Sequence, residues 1–180
     1  MSNKFKFRIF SIFSIIVLCI GCTIKEFQND TFYIIKLGNY IANNGIDFKD
    51  HWCWITQLSY TYPHWLYDVF MYFIYNYFSY FGIYVSTIIL FIILILLIYY
   101  INIKINKNEL MAFFVSILSI AALFNFATAR AQLPSAILLL LEVYFIEKLM
   151  INGNKKYIFY LCLISLAIAN IHATIWLVYF

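Results

Sequence analysis

Arg130 is the one charged residue between Glu109 and Glu142, set in the apolar stretch AALFNFATARAQLPSAILLLL. A guanidinium at such a break reads as sitting on a turn between two membrane helices at the outer bilayer surface, where it meets an anion without being drawn through lipid. It suits equally an arginine that caps the turn and touches phospholipid headgroups. Gln132 and Asn125 flank this turn and are expected to satisfy its backbone or hydrogen-bond the arginine. Asp30 is the second candidate. Within Asn29, Asp30 and Thr31, ahead of FYIIKLGNYIANNG, it reads both as a helix cap and as a carboxylate held above the exit of the first helix. There it can act as a general base toward an acceptor hydroxyl or bind a divalent ion. Gly45 is expected to end that helix, and Phe32, Ile35 and Asn39 to share one of its faces.

Residues 47–68 crowd together Asp47, Asp50, His51, Trp52, Trp54, Tyr60, Tyr62, His64 and Trp65. Two carboxylates and two histidines are metal-ligand types, but HxxxH and HExxH spacings are missing and His51 and His64 stand thirteen residues apart. No dedicated zinc site is expected. The rings, Trp65 among them, fit an aromatic belt at the membrane surface and fit stacking on the face of a sugar equally well.

The elements that must position these groups follow from composition. The chain is 65% hydrophobic and 22% aromatic with 11% charged residues, and its mean hydropathy is +0.86. That leaves too little polar surface for a soluble globule, so the expectation is an all-α, multi-pass membrane helix bundle in a plasma membrane. The net charge of +4 is gathered in short stretches: Lys4, Lys6 and Arg8; Lys104 and Lys107; Lys155 and Lys156. Such stretches mark cytoplasmic ends and offer no continuous basic face for nucleic acid. The four cysteines form no disulfide framework, and a Cys22 to Cys53 bond is not expected. Residues 9–24 read as an uncleaved first helix, because a lipoprotein cleavage site would place leucine where Cys19 stands.

Charge placement then fixes a topology of about five spanning helices. The first exits near Lys25, and the chain from there to about Pro63 faces outward; the outward loop with its surface helices covers 25–80 of a single transmembrane domain. Residues 81–101 cross inward to Lys104, residues 110–126 outward, 133–149 inward, and 157–176 outward. Residues 65–77 are too few to span, carry Asp68 and are rich in tyrosine, so they are expected to lie on the outer surface. This arrangement puts the first loop, Arg130 and residues 170–172 on one side of the membrane. The apolar stretch that ends at Phe180 reads as the front part of a longer protein.

DTFYIIKLGNYIANNG, SYTYPHWLYDVFMYFIYNYF, ARAQLPSAILLLLEVYFIEKL and ANIHATIW follow one another in an order and spacing that resemble bacterial members of the GT-C superfamily of glycosyltransferases. The likeness covers roughly residues 27–176, with Ala131 where that group has proline and Ala173 where it has glycine. It implies transfer of a sugar from a polyprenyl-phosphate-linked donor to an acceptor on the outer face of the membrane. By motif, Asp30 resembles the first-loop carboxylate, Arg130 the group that holds the lipid phosphate, and His172 a residue lining the same cavity; His51, Trp65 and Gln132 are further substrate-binding candidates. Some members of the superfamily use a divalent metal, which the resemblance leaves open; no other cofactor is implied. The alternatives are a multi-pass transporter, for which Glu142 within the fourth run is the motive, and a non-catalytic or truncated membrane protein. A transporter would show related halves and a broken helix near the midplane, whereas this chain has no internal repeat and its interruption at 130–134 lies at a membrane boundary.

Overall fold

In a computed structural model, which describes residues 3–24, 26–53 and 58–173, the protein is all-α, and no strand forms among the described residues. The helices are α1 (Asn3–Cys22), α2 (Asn29–Asn44), α3 (Trp65–Asn106), α4 (Glu109–Leu123), α5 (Gln132–Asn152) and α6 (Lys156–Ile171), with a single 3₁₀ turn at Phe124–Phe126. Each of the five expected apolar runs forms a helix, although residues 174–176 of the fifth lie outside the described residues. Helix ends obey local chemistry. The Asn108 side chain accepts from the N–H groups of Leu110 and Met111 to start α4, while Gly45 and Gly153 take positive φ to end α2 and α5.

α1, α3 and the segment Glu109–Phe126 are long and apolar enough to cross a membrane. α5 carries Glu142, Glu147 and Lys148, and α6 has 16 residues. Large apolar side chains point outward from the bundle, among them Phe13, Leu118 and Leu166. Such a surface needs lipid, so the protein is membrane-embedded.

α3 is not one rod. Its 42 residues would measure about 63 Å if straight, twice the hydrocarbon thickness of a bilayer. At Ser79 the backbone leaves the helical region (φ 56°, ψ −156°) and the chain folds back. Ser86 Oγ consequently lies 4.0 Å from Met71 Sδ, fifteen residues away, where a straight helix would part their Cα atoms by about 22 Å. The first limb, residues 65–78, is thus a separate helical element, as its length and composition led us to expect, and at about 21 Å it is too short to span.

Three cores hold these parts, one of them formed by Leu37, Ile41 and Tyr62. Ile15 and Cys19 of α1 pack with Phe91, Leu94, Ile95 and Tyr99 of the second limb, with Ala112 and Ile120 of α4, and with Leu133 of α5. A smaller core joins α2 (Ile34, Ile35) to the first limb (Tyr67, Met71), to Ile83, and to Ala129 and Ala131 before α5. α2 buries Thr31, Ile34, Ile35, Leu37, Gly38 and Ile41, which corrects the expected face: Ile35 is inside, but Phe32 and Asn39 are exposed. The face turned inward is the one that lets α2 sit directly on the first limb. A Cβ on Gly38 would stand 2.1 Å from the Asp68 carbonyl oxygen, so only glycine permits this approach.

The bundle has two chemically different ends. At one, Arg8 of α1 pairs with Glu109 at the start of α4, beside Lys4 and Lys107. The other end gathers Asp30, His64, Arg130 and His172.

Candidate functional site

Four chain segments meet at that second end. The turn before α5 is built from small residues, with Ala127, Thr128, Ala129 and Ala131 all buried, and this lets the backbone tuck under α2. Arg130 is the large side chain of the turn, and it reaches back to Asp30 in the first turn of α2, with which it forms an ion pair. The helix cap expected of Asp30 is not made: Gln28 occupies the N-cap position, and the Asp30 carboxylate goes to the guanidinium. Among the described residues no acceptor meets Arg130 Nε, although that atom is buried. A guanidinium presents its N–H groups as a planar fork, and here one Nη serves Asp30 while the buried Nε–H has no acceptor among the described residues.

The first limb contributes His64 and Asp68. Asp68 is fully buried, and its two oxygens lie 2.7 and 2.8 Å from His64 Nδ1. Burial pushes the Asp68 carboxyl up and the bond from His64 pulls against it; with Asp68 as the carboxylate, Nδ1 carries the hydrogen of this bond. His172, just past the end of α6, lies with its ring centroid 6.4 Å from that of His64, and its Nδ1 is 3.1 Å from Ser135 Oγ of α5. Burial, reinforced by the nearby His64, holds the His172 imidazole below its ordinary value and so favours the neutral ring. The segment is tied down at two more points: Ala173 N–H donates to Pro63 O at 2.6 Å, and Trp65 Nε1 donates to Asn170 Oδ1 at 3.1 Å.

These side chains enclose a cavity of about 280 Å³ lined by Asp30, Tyr33, Ile34, His64, Arg130, Ala131, Gln132 and His172. Burial and a hydrogen bond with Tyr60 push the Tyr33 phenol up, so it remains a neutral hydroxyl. Gln132 also borders a second cavity of about 380 Å³, whose other walls are mostly apolar: Leu94, Leu123, Phe126, Leu133, Ser135, Ala136 and Leu139. A polar cavity that holds an ion pair and an apolar one therefore share a wall.

Of the residues singled out in the sequence, Asp30, Arg130, His172 and Gln132 come together here. Trp65 supports the site through Asn170, away from the cavity lining. His51 belongs elsewhere: its Nε2 lies 2.6 Å from Asp47 Oδ2 and 2.7 Å from the Tyr40 hydroxyl. Asp47 also accepts from Tyr40, Tyr62 and the Lys49 N–H. Partial burial pushes the Asp47 carboxyl up, but these hydrogen bonds outweigh it and hold the group well below the usual carboxylate range. The expected contact from Asn125 is not seen: Asn125 is exposed on the 3₁₀ turn. In the sequence His64 stood out as a metal-ligand type and Asp68 as a mark of a surface segment, and the two were not paired. The signal was present, since residues four apart at a helix start face each other. Among the described residues no group of three or more His, Cys, Asp or Glu side chains is close enough to hold a metal ion.

No family of known proteins, no curated protein and no solved structure matches this chain.

Proposed function

We propose that this protein is a multi-pass glycosyltransferase of the plasma membrane, similar to the GT-C superfamily, that moves a sugar from a polyprenyl-phosphate-linked donor to an acceptor on the outer face. The observation that carries this reading is the shared wall between the two cavities. A donor of this class is amphiphilic, with a phosphate between its sugar and its lipid, and it needs a cation beside an apolar groove. Arg130 supplies the cation, and its Nε–H suits a phosphate oxygen that bridges to one of the Nη–H groups. Positive charge there also stabilises the phosphate as it leaves. Asp30, paired with Arg130 in the empty cavity, is released by the incoming phosphate and turns to the acceptor hydroxyl. In this reading the helices make about five crossings, the first limb of α3 lies along the outer surface, and the cavity opens to that side.

Transfer of a labelled polyprenyl-phosphate sugar, measured in membranes that contain the protein, tests the reading. Arg130→Ala is expected to weaken donor binding and lower transfer by about 10²-fold or more, the scale of losing one preorganised charge-stabilising donor. Asp30→Asn is expected to abolish transfer while leaving the protein folded. Normal turnover in both variants would return Arg130 to a headgroup contact and Asp30 to a structural partner of it.

A second reading, transport, draws on one observation. Glu142 lies within α5 and its Oε2 is buried without a partner among the described residues, as a carboxylate in an ion or proton path would be. Glu142→Gln separates the two, since it leaves sugar transfer intact in an enzyme and stops movement of the coupled ion in a transporter.

A further inference from the structure

The hydroxyl that attacks the sugar must lose a proton, and once Asp30, released by the donor phosphate, holds that hydroxyl, a second group of the cavity has to take the proton. We propose that His64 is the base of this cavity and that Asp68 is its positioning residue; the proposal rests on the transferase reading above.

Three observations carry it. His64 lines the same cavity as Arg130. Its Nδ1 is fixed by a carboxylate that is wholly buried, so the ring cannot turn without stranding Asp68 away from any donor. Because Nδ1 bears the hydrogen, Nε2 on the opposite edge of the neutral ring keeps its lone pair and is directed away from Asp68. A buried carboxylate that sets the tautomer of a cavity histidine also stabilises the imidazolium formed when the ring accepts a proton. The anchor is itself anchored, since the Asp68 backbone rests against Gly38 of α2.

The step balances. As the acceptor oxygen bonds to the anomeric carbon, its proton passes to His64 Nε2. The bond from that carbon to the donor phosphate oxygen breaks, and its electron pair leaves on the phosphate beside Arg130. The charged and titratable groups facing His64 are Asp68 on its own limb, Asp30 and Tyr33 from α2, Arg130 before α5, and His172 after α6. Of these, Asp68 alone is bonded to the ring.

The test combines a chemical probe that needs no turnover with kinetics. Diethyl pyrocarbonate acylates an accessible imidazole nitrogen that carries a lone pair, and peptide mass mapping locates the adduct. Acylation of His64 is expected in the intact protein, with suppression by inorganic pyrophosphate, which competes for the Arg130 cavity. Asp68→Asn is expected to slow the acylation. His64→Asn keeps a side-chain N–H near the Nδ1 position and lacks Nε2, so it preserves the bond to Asp68. It is expected to lower kcat by about 10²-fold or more with little change in donor KM. An unlabelled His64, or labelling that pyrophosphate leaves unchanged, overturns the proposal. So does a His64→Asn variant with the wild-type kcat. Labelled, pyrophosphate-protected His64 in a protein that transfers no sugar would instead overturn the transferase reading and leave His64 as the reactive base of the cavity.

Discussion

Asp47 and Asp30 are both first-loop carboxylates, yet their surroundings differ in how much of the local hydrogen-bonding capacity is used. Asp47 accepts from Tyr40, Tyr62, His51 and the Lys49 N–H, all within 15 residues of it in sequence, and Tyr62 adds a bond to Lys49 O at 3.1 Å. Asp30 has Arg130, supplied from 100 residues away, and Arg130 retains a buried N–H with no acceptor among the described residues. A polar cluster that satisfies itself shapes a loop, even where it borders a cavity, as Asp47 and His51 border one of about 580 Å³. A cluster left incomplete at a low-dielectric boundary costs stability and keeps its capacity for a partner. The number of charged or aromatic residues does not separate the two, because the Asp47 region has at least as many.

The largest effect is expected at Gly38, where the incomplete cluster is supported from behind. Gly38→Ala forces α2 off the Asp68 backbone and is expected to cost about 1–3 kcal/mol, seen as a lower Tm in detergent. Sugar transfer and pyrophosphate protection of His64 should fall with it. The fluorescence of Trp52, whose ring lies 5.6 Å from that of Tyr40, should keep its native emission. Unchanged Tm and transfer would mean that the two helices move apart freely.

Next is Tyr62→Phe, which breaks into the satisfied cluster. Tyr62 is buried and bonds both Asp47 and Lys49, so its loss is expected to destabilise the protein by about 1 kcal/mol in urea titration while leaving transfer rates as they were. A rise in donor KM in this variant would join the two clusters into one site.

The smallest effect is a difference in acid sensitivity. The Asp47 carboxyl is depressed in the folded protein, so its contribution is present above its ordinary value of 3.8 and is lost only as pH falls below that toward the folded value. The His172 imidazole is depressed as well, but for a base the consequence reverses. The unfolded chain takes up its proton first, and stability at the cavity end declines as pH falls below 6.5. Between pH 7 and 5, hydrogen exchange should therefore quicken in the last turn of α6 and stay constant in residues 47–53. Equal acceleration in both regions would remove the distinction.

What could be read in the sequence was governed by local chemistry and by charge against lipid. Gly45 and Gly153 mark helix ends because positive φ is a property of one residue, and the co-location of Asp30, Arg130 and His172 followed from where lysines can emerge. The brevity of residues 65–77 foretold a separate limb, although Ser79 as the breaking point was illegible, since serine is no helix breaker and the fold imposes its φ. Of the two readings of Asp30, the cap fails because a cap is local, whereas its actual partner is a hundred residues distant. The packing of Gly38 on Asp68 depends on how two helices approach, and residue type alone does not carry that information.

The long-range ion pairs also set a timetable for making the protein. Arg8 and Glu109 are separated by 101 residues, and Asp30 and Arg130 by 100. At synthesis rates of about 5–20 residues per second, each earlier member waits about 5–20 s for its partner. For the first part of that interval α1 has neither α3 nor α4 to pack against and rests on lipid. Arg8 lies in the second turn of α1 and Asp30 in the first turn of α2, beyond the opposite end of α1, where water and headgroups can solvate them. Charge at those positions is tolerable throughout the wait, which charge in mid-helix would not be. The cavity cannot exist before residue 130 is made, and His172 closes it last, so in a nascent chain His64 is made before its cation and the cavity stays open until nearly all of the described residues are in place.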